Sequence, residues 1–390
     1  MMDGGSQPRC IMIIAGEASG DQHGAKLVKA VQRRAPDTFF CGIGGRAMAR
    51  AGVRIVVDAA ALSVVGITEA VAKIGTLLSG LSRAKRLMAG LRPDLLILID
   101  FPDFNLRAAA FARRNNIPVL YYISPQLWAW RRGRVKKIKA LVDHMAVILP
   151  FEAEFYERHG VPVTYVGHPL LDGIHPAPPP PGASEENGGG TSAPVLGLLP
   201  GSRDKEIRRH LPLLLDAAAI LKKDFAPMRF LVSQAPSVDG GVIQRIVQAH
   251  PVKEAVEIRD DPVECVLRRS RLVVAVSGTV TLEAAIAETP TLIVYRVSPV
   301  SYLMAKTLVR VDHIGLINLI AGERIMPELI QQDASAANIA HRVAALINDP
   351  NALAEMKQKL AAAGKRLGRG NASDRVADIA LHLLRHKDRP

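Results

Sequence analysis

Apolar residues along this chain fall into two alternating patterns. Short continuous runs, Ile11–Ala15, Leu95–Ile99, Val119–Ile123 and Met145–Leu149, have no polar residue every second position. Such runs suit strands buried on both faces of a parallel sheet. Between them lie segments of helical period, at about 22–34, 69–90, 104–115 and 133–141. The alternation stops at His175 and resumes with strand candidates Val195–Leu199, Arg229–Val232, Leu272–Val276 and Thr291–Val294. Helical patterns intervene near 205–223, 240–249, 262–269 and 280–288. Strands alternating with helices predict a doubly wound α/β sheet, here twice in series. The last part is helical, at about 335–348, 351–367 and 374–386. Ser373 is placed to cap the final helix, whose apolar face is Val376, Ile379, Ala380, Leu383 and Leu384.

This gives a first domain over residues 1–175, a Pro/Gly-rich linker or loop over 176–193, and a second domain over 194–354. C-terminal helices at about 355–390 are expected to return to the first domain or to reach a partner chain. The linker contains no large apolar residue to anchor it. Two such domains are expected to leave a crevice at the carboxyl ends of their strands, where open α/β sheets bind ligands.

Composition narrows the picture. The chain has 390 residues, of which 48% are hydrophobic but only 4% aromatic, so the cores are aliphatic. Lys and Arg outnumber Asp and Glu by 50 to 37, a formal charge of +13. That excess points to an anionic partner: nucleic acid, a membrane surface or a phosphorylated substrate. Cys10, Cys41 and Cys265 have no paired spacing, which argues against a disulfide framework or a zinc site. Histidines 23, 144, 159, 168, 210 and 313 show no metal-ligand spacing, and only His168, after a strand-like run, invites a place in the crevice. Ile11–Ala15 is too short for a signal-peptide core, and no run reaches the ~20 apolar residues of a spanning helix. A cytoplasmic protein is expected.

Four stretches carry candidate chemistry. In Leu199-Pro-Gly-Ser-Arg203 a strand ends in a turn that opens a helix, and Arg203 adds a planar cation suited to phosphate. In Ser277-Gly-Thr-Val-Thr-Leu-Glu283 the amides and hydroxyls of Ser277, Gly278 and Thr279 could cradle a diphosphate, and Glu283 could accept from two ribose hydroxyls. Together these two turns suggest a nucleoside diphosphate. In Asp100-Phe-Pro-Asp-Phe-Asn105 an acid sits at the end of a buried strand, where it could take a proton from an attacking hydroxyl. Asp103 or Asn105 would cap the helix that follows. Finally, Trp128 and Trp130 precede six Lys or Arg residues within 131–139, including Arg131, Arg132, Arg134 and Lys136. Tryptophan beside a basic helix suits a membrane interface, and equally single-stranded nucleic acid.

The opening turn, Gly16-Glu-Ala-Ser-Gly-Asp21, is glycine-rich yet acidic, and it lacks the G-x-G-x-x-G spacing of a dinucleotide fold. Taken with Ser124-Pro-Gln-Leu-Trp-Ala-Trp-Arg131, Val166-Gly-His-Pro169, Asn318-Leu-Ile-Ala-Gly322 and the stretches above, it closely resembles lipid-A-disaccharide synthases, in that family's order from about 11 to 330. The chain departs from the family at Ile317, often Pro, at His23, usually Leu or similar, and in the length of its proline-rich insert.

The resemblance implies an inverting GT-B glycosyltransferase that needs neither metal nor cofactor. It would join UDP-2,3-diacylglucosamine to 2,3-diacylglucosamine 1-phosphate at the inner-membrane surface of a Gram-negative bacterium. Asp100 is then the candidate base with Glu17 as runner-up. Arg203, Glu206, Ser277, Gly278, Thr279, Glu283 and Asn318 would bind the nucleotide sugar. Gly16, Ser19, Gly20, Asp21, Asp103 and Asn105 would bind the acceptor, with Gly16 and Gly20 admitting the sugar to the backbone and Asp21 facing its hydroxyls. A homodimer with exchanged C-terminal parts is compatible with the family. A UDP-sugar epimerase of the same architecture is the competing enzyme. A nucleic-acid-binding protein using residues 128–139 leaves the other motifs unexplained.

Overall fold

The computed structural model describes residues 9–59, 70–129, 132–172, 193–225, 227–298, 302 and 312–386, with the side chains of 70–74, 132 and 386 outside that description. The chain divides into two compact units, one of residues 1–174 and 367–390, the other of residues 175–366.

In the first unit the chain runs β1 (Cys10–Ala15), α1 (Ala18–Gln32), β2 (Phe39–Gly44), α2 (Arg46–Arg50), β3 (Arg54–Asp58), α3 (Ala70–Leu91), β4 (Leu95–Ile99), α4 (Pro102–Arg114), β5 (Val119–Tyr122), α5 (Val135–Leu141), β6 (His144–Val147), α6 (Pro150–Arg158) and β7 (Val163–Tyr165). The strands form one parallel sheet in the order β3-β2-β1-β4-β5-β6-β7. Ile11–Ala15 and Leu95–Ile99 are wholly buried because both sheet faces are covered. One face packs against α3, α4, α5 and α6, the other against α1 and the last helix.

The second unit runs β8 (Val195–Leu199), α7 (Asp204–Asp224), β9 (Arg229–Ser233), α8 (Gly240–Gln248), β10 (Val256–Arg259), α9 (Val263–Arg269), β11 (Leu272–Val276), α10 (Val280–Ile286), β12 (Thr291–Tyr295), α11 (Leu316–Ala321), β13 (Glu328–Ile330), α12 (Ala336–Ile347) and α13 (Pro350–Lys365). Its strands are also parallel, in the order β10-β9-β8-β11-β12-β13. Each sheet therefore reverses its strand order once, between β1 and β4 in the first and between β8 and β11 in the second. Ligands of such sheets bind at these reversals.

The final helix, α14 (Ala372–His386), returns to the first unit and lies along α1. Val376, Ala377, Ala380 and Leu384 join the core of Val28 and Val31. α13, by contrast, packs on α10, α11 and α12 of the second unit. The return thus begins at Leu367 rather than near 355. Nor does Ser373 cap α14. Asp172, distant in sequence, accepts from the Ala372 and Ser373 amides at 2.7 and 3.0 Å and from the Ser373 hydroxyl at 2.9 Å. A carboxylate at a helix start satisfies orphan amides and meets the positive end of the dipole. The insert at 176–192 lies outside the described residues.

Candidate active site

In the first unit β1 and β4 pair with Ala15 opposite Ile99, so Gly16 and Asp100 leave the sheet side by side at its reversal. Asp100 and Phe101 both adopt the left-handed region, at φ 47° and 48°. That conformation costs of order 1 kcal/mol or more for each non-glycine residue, so something must hold it. Three bonds do so. The fully buried Asn105 amide donates to Ile99 O at 3.2 Å and to Asp100 O at 2.6 Å, and the Tyr121 hydroxyl donates to Asp100 O at 2.7 Å. The Asp100 backbone is thereby clamped at the end of β4.

Burial, and after it the neighbouring Glu17 carboxylate, raise the Asp100 carboxyl to about 6 against a lowering bond from the Phe101 amide. Glu17 itself is exposed at the start of α1. Of the two acids, Asp100 has the properties of a proton acceptor matched to neutral pH.

Several residues expected at the acceptor are held in bonds within the protein. Asn105 is a clamp and touches no solvent. Asp21 is buried, and its carboxylate accepts from the amides of Gly45, Ala47 and Met48 at 2.7–3.1 Å, which makes it the cap of α2. A side chain on Gly16 would fall within the Phe101 ring. One on Gly20 would sit 3.4 Å from Ala15 Cβ and 3.5 Å from Ile99. Gly16 thus gives room to the Phe101 ring, whereas the contacts at Gly20 are ordinary ones. Asp103 is exposed but pairs with Arg134 at 2.8 Å. Ser19 and Glu17 remain exposed on the first turn of α1.

The basic segment shows the same division. Val135 and Ile138 of α5 are buried while Lys136, Lys137 and Lys139 face out. The Trp128 indole donates inward to the buried Glu152 at 3.1 Å, and its ring meets Phe151 edge-on at 4.8 Å. Trp128 is thus anchored to α6, contrary to a simple surface wedge. Trp130, Arg131 and the Arg132 side chain lie outside the described residues.

In the second unit the turns after β8 and β11 flank the other reversal. Gly201 has φ 119°, and a side chain there would collide with Glu206. Glu206 was expected at the nucleotide. Its carboxylate instead accepts from the Ser202 amide at 2.9 Å and from Arg203 at 3.0 Å. It takes an amide that an anion would want and orients the guanidinium, whose side chain is 74% exposed and open to a ligand.

After β11 the first helical bond is from the Thr281 amide to Gly278 O, which leaves the preceding amides ahead of the ladder. Nothing lies within 4 Å of a side chain placed on Gly278. The Ser277 hydroxyl donates to Ile314 O at 3.1 Å. Glu283, half-buried, is raised by desolvation and by Glu264. Asn318 is tied into the interior. It is fully buried, donating to Met326 O and Glu328 and accepting from the Met326 amide.

Outside these turns, His168 is buried and its Nδ1 accepts from the Leu170 amide, which places it in the interior. Among the described residues no helix is long and apolar enough to cross a membrane. Sequence reasoning missed Tyr121, Glu152 and Glu328; an acid three residues after the residue that opens a helix, as in Leu149-Pro-Phe-Glu152, was the available signal for one of them.

Residues 11–380 match the family model described as lipid-A-disaccharide synthetase. The lipid-A-disaccharide synthase of Geobacter sulfurreducens is 46% identical over 374 residues, spanning 96% of this chain and 97% of that protein. The chain belongs to the lipid-A-disaccharide synthase family. It is therefore a glycosyltransferase, and its two parallel-sheet domains are of the GT-B class. Solved structures share the fold at low identity. MurG of Acinetobacter baumannii aligns with a TM-score of 0.60 and 14% identity over 96% of this chain and all of that one. A putative UDP-N-acetylglucosamine 2-epimerase of Listeria monocytogenes gives 0.63 and 12% over 99% and 98%. The epimerase alternative rests on that shared fold alone, whereas the synthase family is matched in sequence along nearly the whole chain.

Proposed function

We propose that this chain transfers 2,3-diacylglucosamine from UDP to the 6-hydroxyl of 2,3-diacylglucosamine 1-phosphate, giving a β-linked disaccharide 1-phosphate and UDP. Asp100 removes the proton from the hydroxyl as it attacks C1 opposite the departing UDP. A single displacement inverts that carbon and needs one carboxylate. Exposed Glu17 and Ser19 meet the acceptor sugar. Arg203 and the Ser277–Thr279 turn meet the diphosphate, and Glu283 accepts from the ribose. Fixed donors stabilise the charge that grows on UDP without reorganising as the bond breaks.

The observation that carries the reading is the clamped, left-handed Asp100 at the end of β4, its pKa brought to about 6 by burial. Acylated, phosphorylated substrates reside at a membrane surface. The exposed lysines of α5 suit attachment to an anionic inner leaflet from the cytoplasm. Mass spectrometry of the product from the two acylated substrates tests the reading. A tetraacyl disaccharide 1-phosphate that appears only when both are present supports it, and conversion of the UDP-sugar alone contradicts it.

A further inference from the structure

Under the loop that follows β5 lies a buried polar chain that the proposed chemistry does not use. Glu152, on the first turn of α6, is 1% exposed. Its carboxylate accepts from the Trp128 indole at 3.1 Å and from the Leu149 amide at 3.1 Å, and the nearby Ile148 amide and Ser124 hydroxyl also favour its charged form. Ser124 in turn meets the Tyr156 hydroxyl at 2.8 Å and Pro125 O at 2.9 Å. Tyr156 neighbours Tyr121, whose hydroxyl holds Asp100 O. All of these donors are neutral. The titratable neighbours from the packed elements, Tyr156 of α6, Tyr165 of β7 and Tyr121 of β5, are phenols.

Among the described residues no cation pairs with it, and a buried carboxylate so placed is costly, where an apolar residue would fill the space at less expense. What Glu152 provides is geometry. It ties both ends of the loop over 124–129 to one rigid helix turn, next to the strand that carries Asp100.

We propose that Glu152 is a positioning residue for acceptor binding: it fixes the Ser124–Ala129 loop, and with it Trp128, as a wall beside the Asp100 turn. The proposal rests on the assignment of Asp100 and its neighbours to the acceptor. Ser124 is the adaptable member. With Glu152 ionised, the Ser124 proton is free to turn from Pro125 O toward the carboxylate. With Glu152 protonated, the carboxyl donates to Ser124 Oγ and the serine proton turns to Pro125 O. Desolvation brings Glu152 to about 7, so both arrangements occur near neutral pH.

The test is Glu152→Gln, whose amide presents N–H groups toward the Leu149 and Ile148 amides. The expected result is a rise in KM for the acylated acceptor of about five-fold or more, the worth of one net hydrogen bond. The kcat and the UDP affinity by titration calorimetry stay near the parent values. In a Trp130→Phe background, the fluorescence of Trp128 titrates with a midpoint near 7, and Glu152→Gln abolishes that titration. Unchanged acceptor KM, or equal weakening of acceptor and UDP, overturns the proposal. Should Glu152→Gln fail to fold, Trp128→Phe keeps the ring on Phe151 and removes only the N–H. It is expected to raise acceptor KM about two-fold or more with UDP binding intact, and no rise overturns the proposal. If Asp100→Asn retains activity, the acceptor assignment fails separately, while the fluorescence titration still reads the Glu152–Trp128 link.

Discussion

Replacing Asn105 by alanine removes the two donors that hold Ile99 O and Asp100 O. The remaining support for the turn is the Tyr121 hydroxyl. Each lost bond is worth about 1 kcal/mol net, and the cavity and the unsatisfied carbonyl raise the total to roughly 2–4 kcal/mol. The left-handed pair at Asp100 and Phe101, costing of order 1 kcal/mol each, is then free to relax. Relaxation displaces the Asp100 carboxylate, and a misplacement of about 1 Å in a reacting group costs on the order of 100-fold in rate. Urea unfolding is expected to show a lower midpoint with an unchanged slope, and a continuous UDP-release assay a kcat reduced roughly 10–100-fold. UDP affinity is expected to hold, because its proposed ligands lie in the other unit. Unfolding free energy within about 0.5 kcal/mol of the parent together with near-normal kcat would refute the clamp.

Gly16→Ala forces the Phe101 ring to move and is expected to lower kcat about ten-fold by steady-state assay, whereas Gly20→Ala meets only ordinary contacts and is expected to retain stability in thermal melts. His23 and His168 are both lowered to about 4 by burial. Their folded values lie below the ordinary 6.5, so the folded state binds fewer protons, and stability present above pH ~6.5 is lost as pH falls through about 4. His23→Leu is expected to lessen that acid loss by about 2 kcal/mol in urea titrations at pH 7 and pH 4, and an unchanged pH slope would exclude His23 as a source. At neutral pH Asp100→Asn removes a charge that burial disfavours, and is expected to raise stability by at most about 3 kcal/mol, with the gain vanishing below the ordinary carboxylate pKa of 3.8.

The central strands were legible because Ile11–Ala15 and Leu95–Ile99 bury both faces and so read as unbroken apolar runs. The outer strands were not. Arg54–Asp58 and Val256–Arg259 mix charge with aliphatics at sheet edges, Glu328–Ile330 has three residues, and Phe39–Gly44 carries two glycines. The helix from Pro150 was missed because it starts at once after β6, where the apolar run seemed to continue to Leu149.

At the site, position along the chain located the turns after β1, β4, β8 and β11 but could not separate ligand contacts from supports. Asp21, Asn105, Glu206 and Asn318 are polar residues near helix starts, where a ligand contact would also sit. What makes them supports is a backbone amide or carbonyl brought within reach by the fold: from Gly45 for Asp21, from Met326 for Asn318. Asp172 shows the same limit, since its helix begins two hundred residues later.

The pH dependence of turnover in the parent and in Asp100→Asn bears most directly on sugar transfer driven by a buried, clamped acid. The parent rate is expected to rise with pH through about 6, as Asp100 loses its proton, and then to level. The variant is expected to lose that limb and to fall on the order of 100-fold or more in kcat, while binding UDP as the parent does. A variant that turns over at near-parental rate, with the same acid limb, would contradict the assignment.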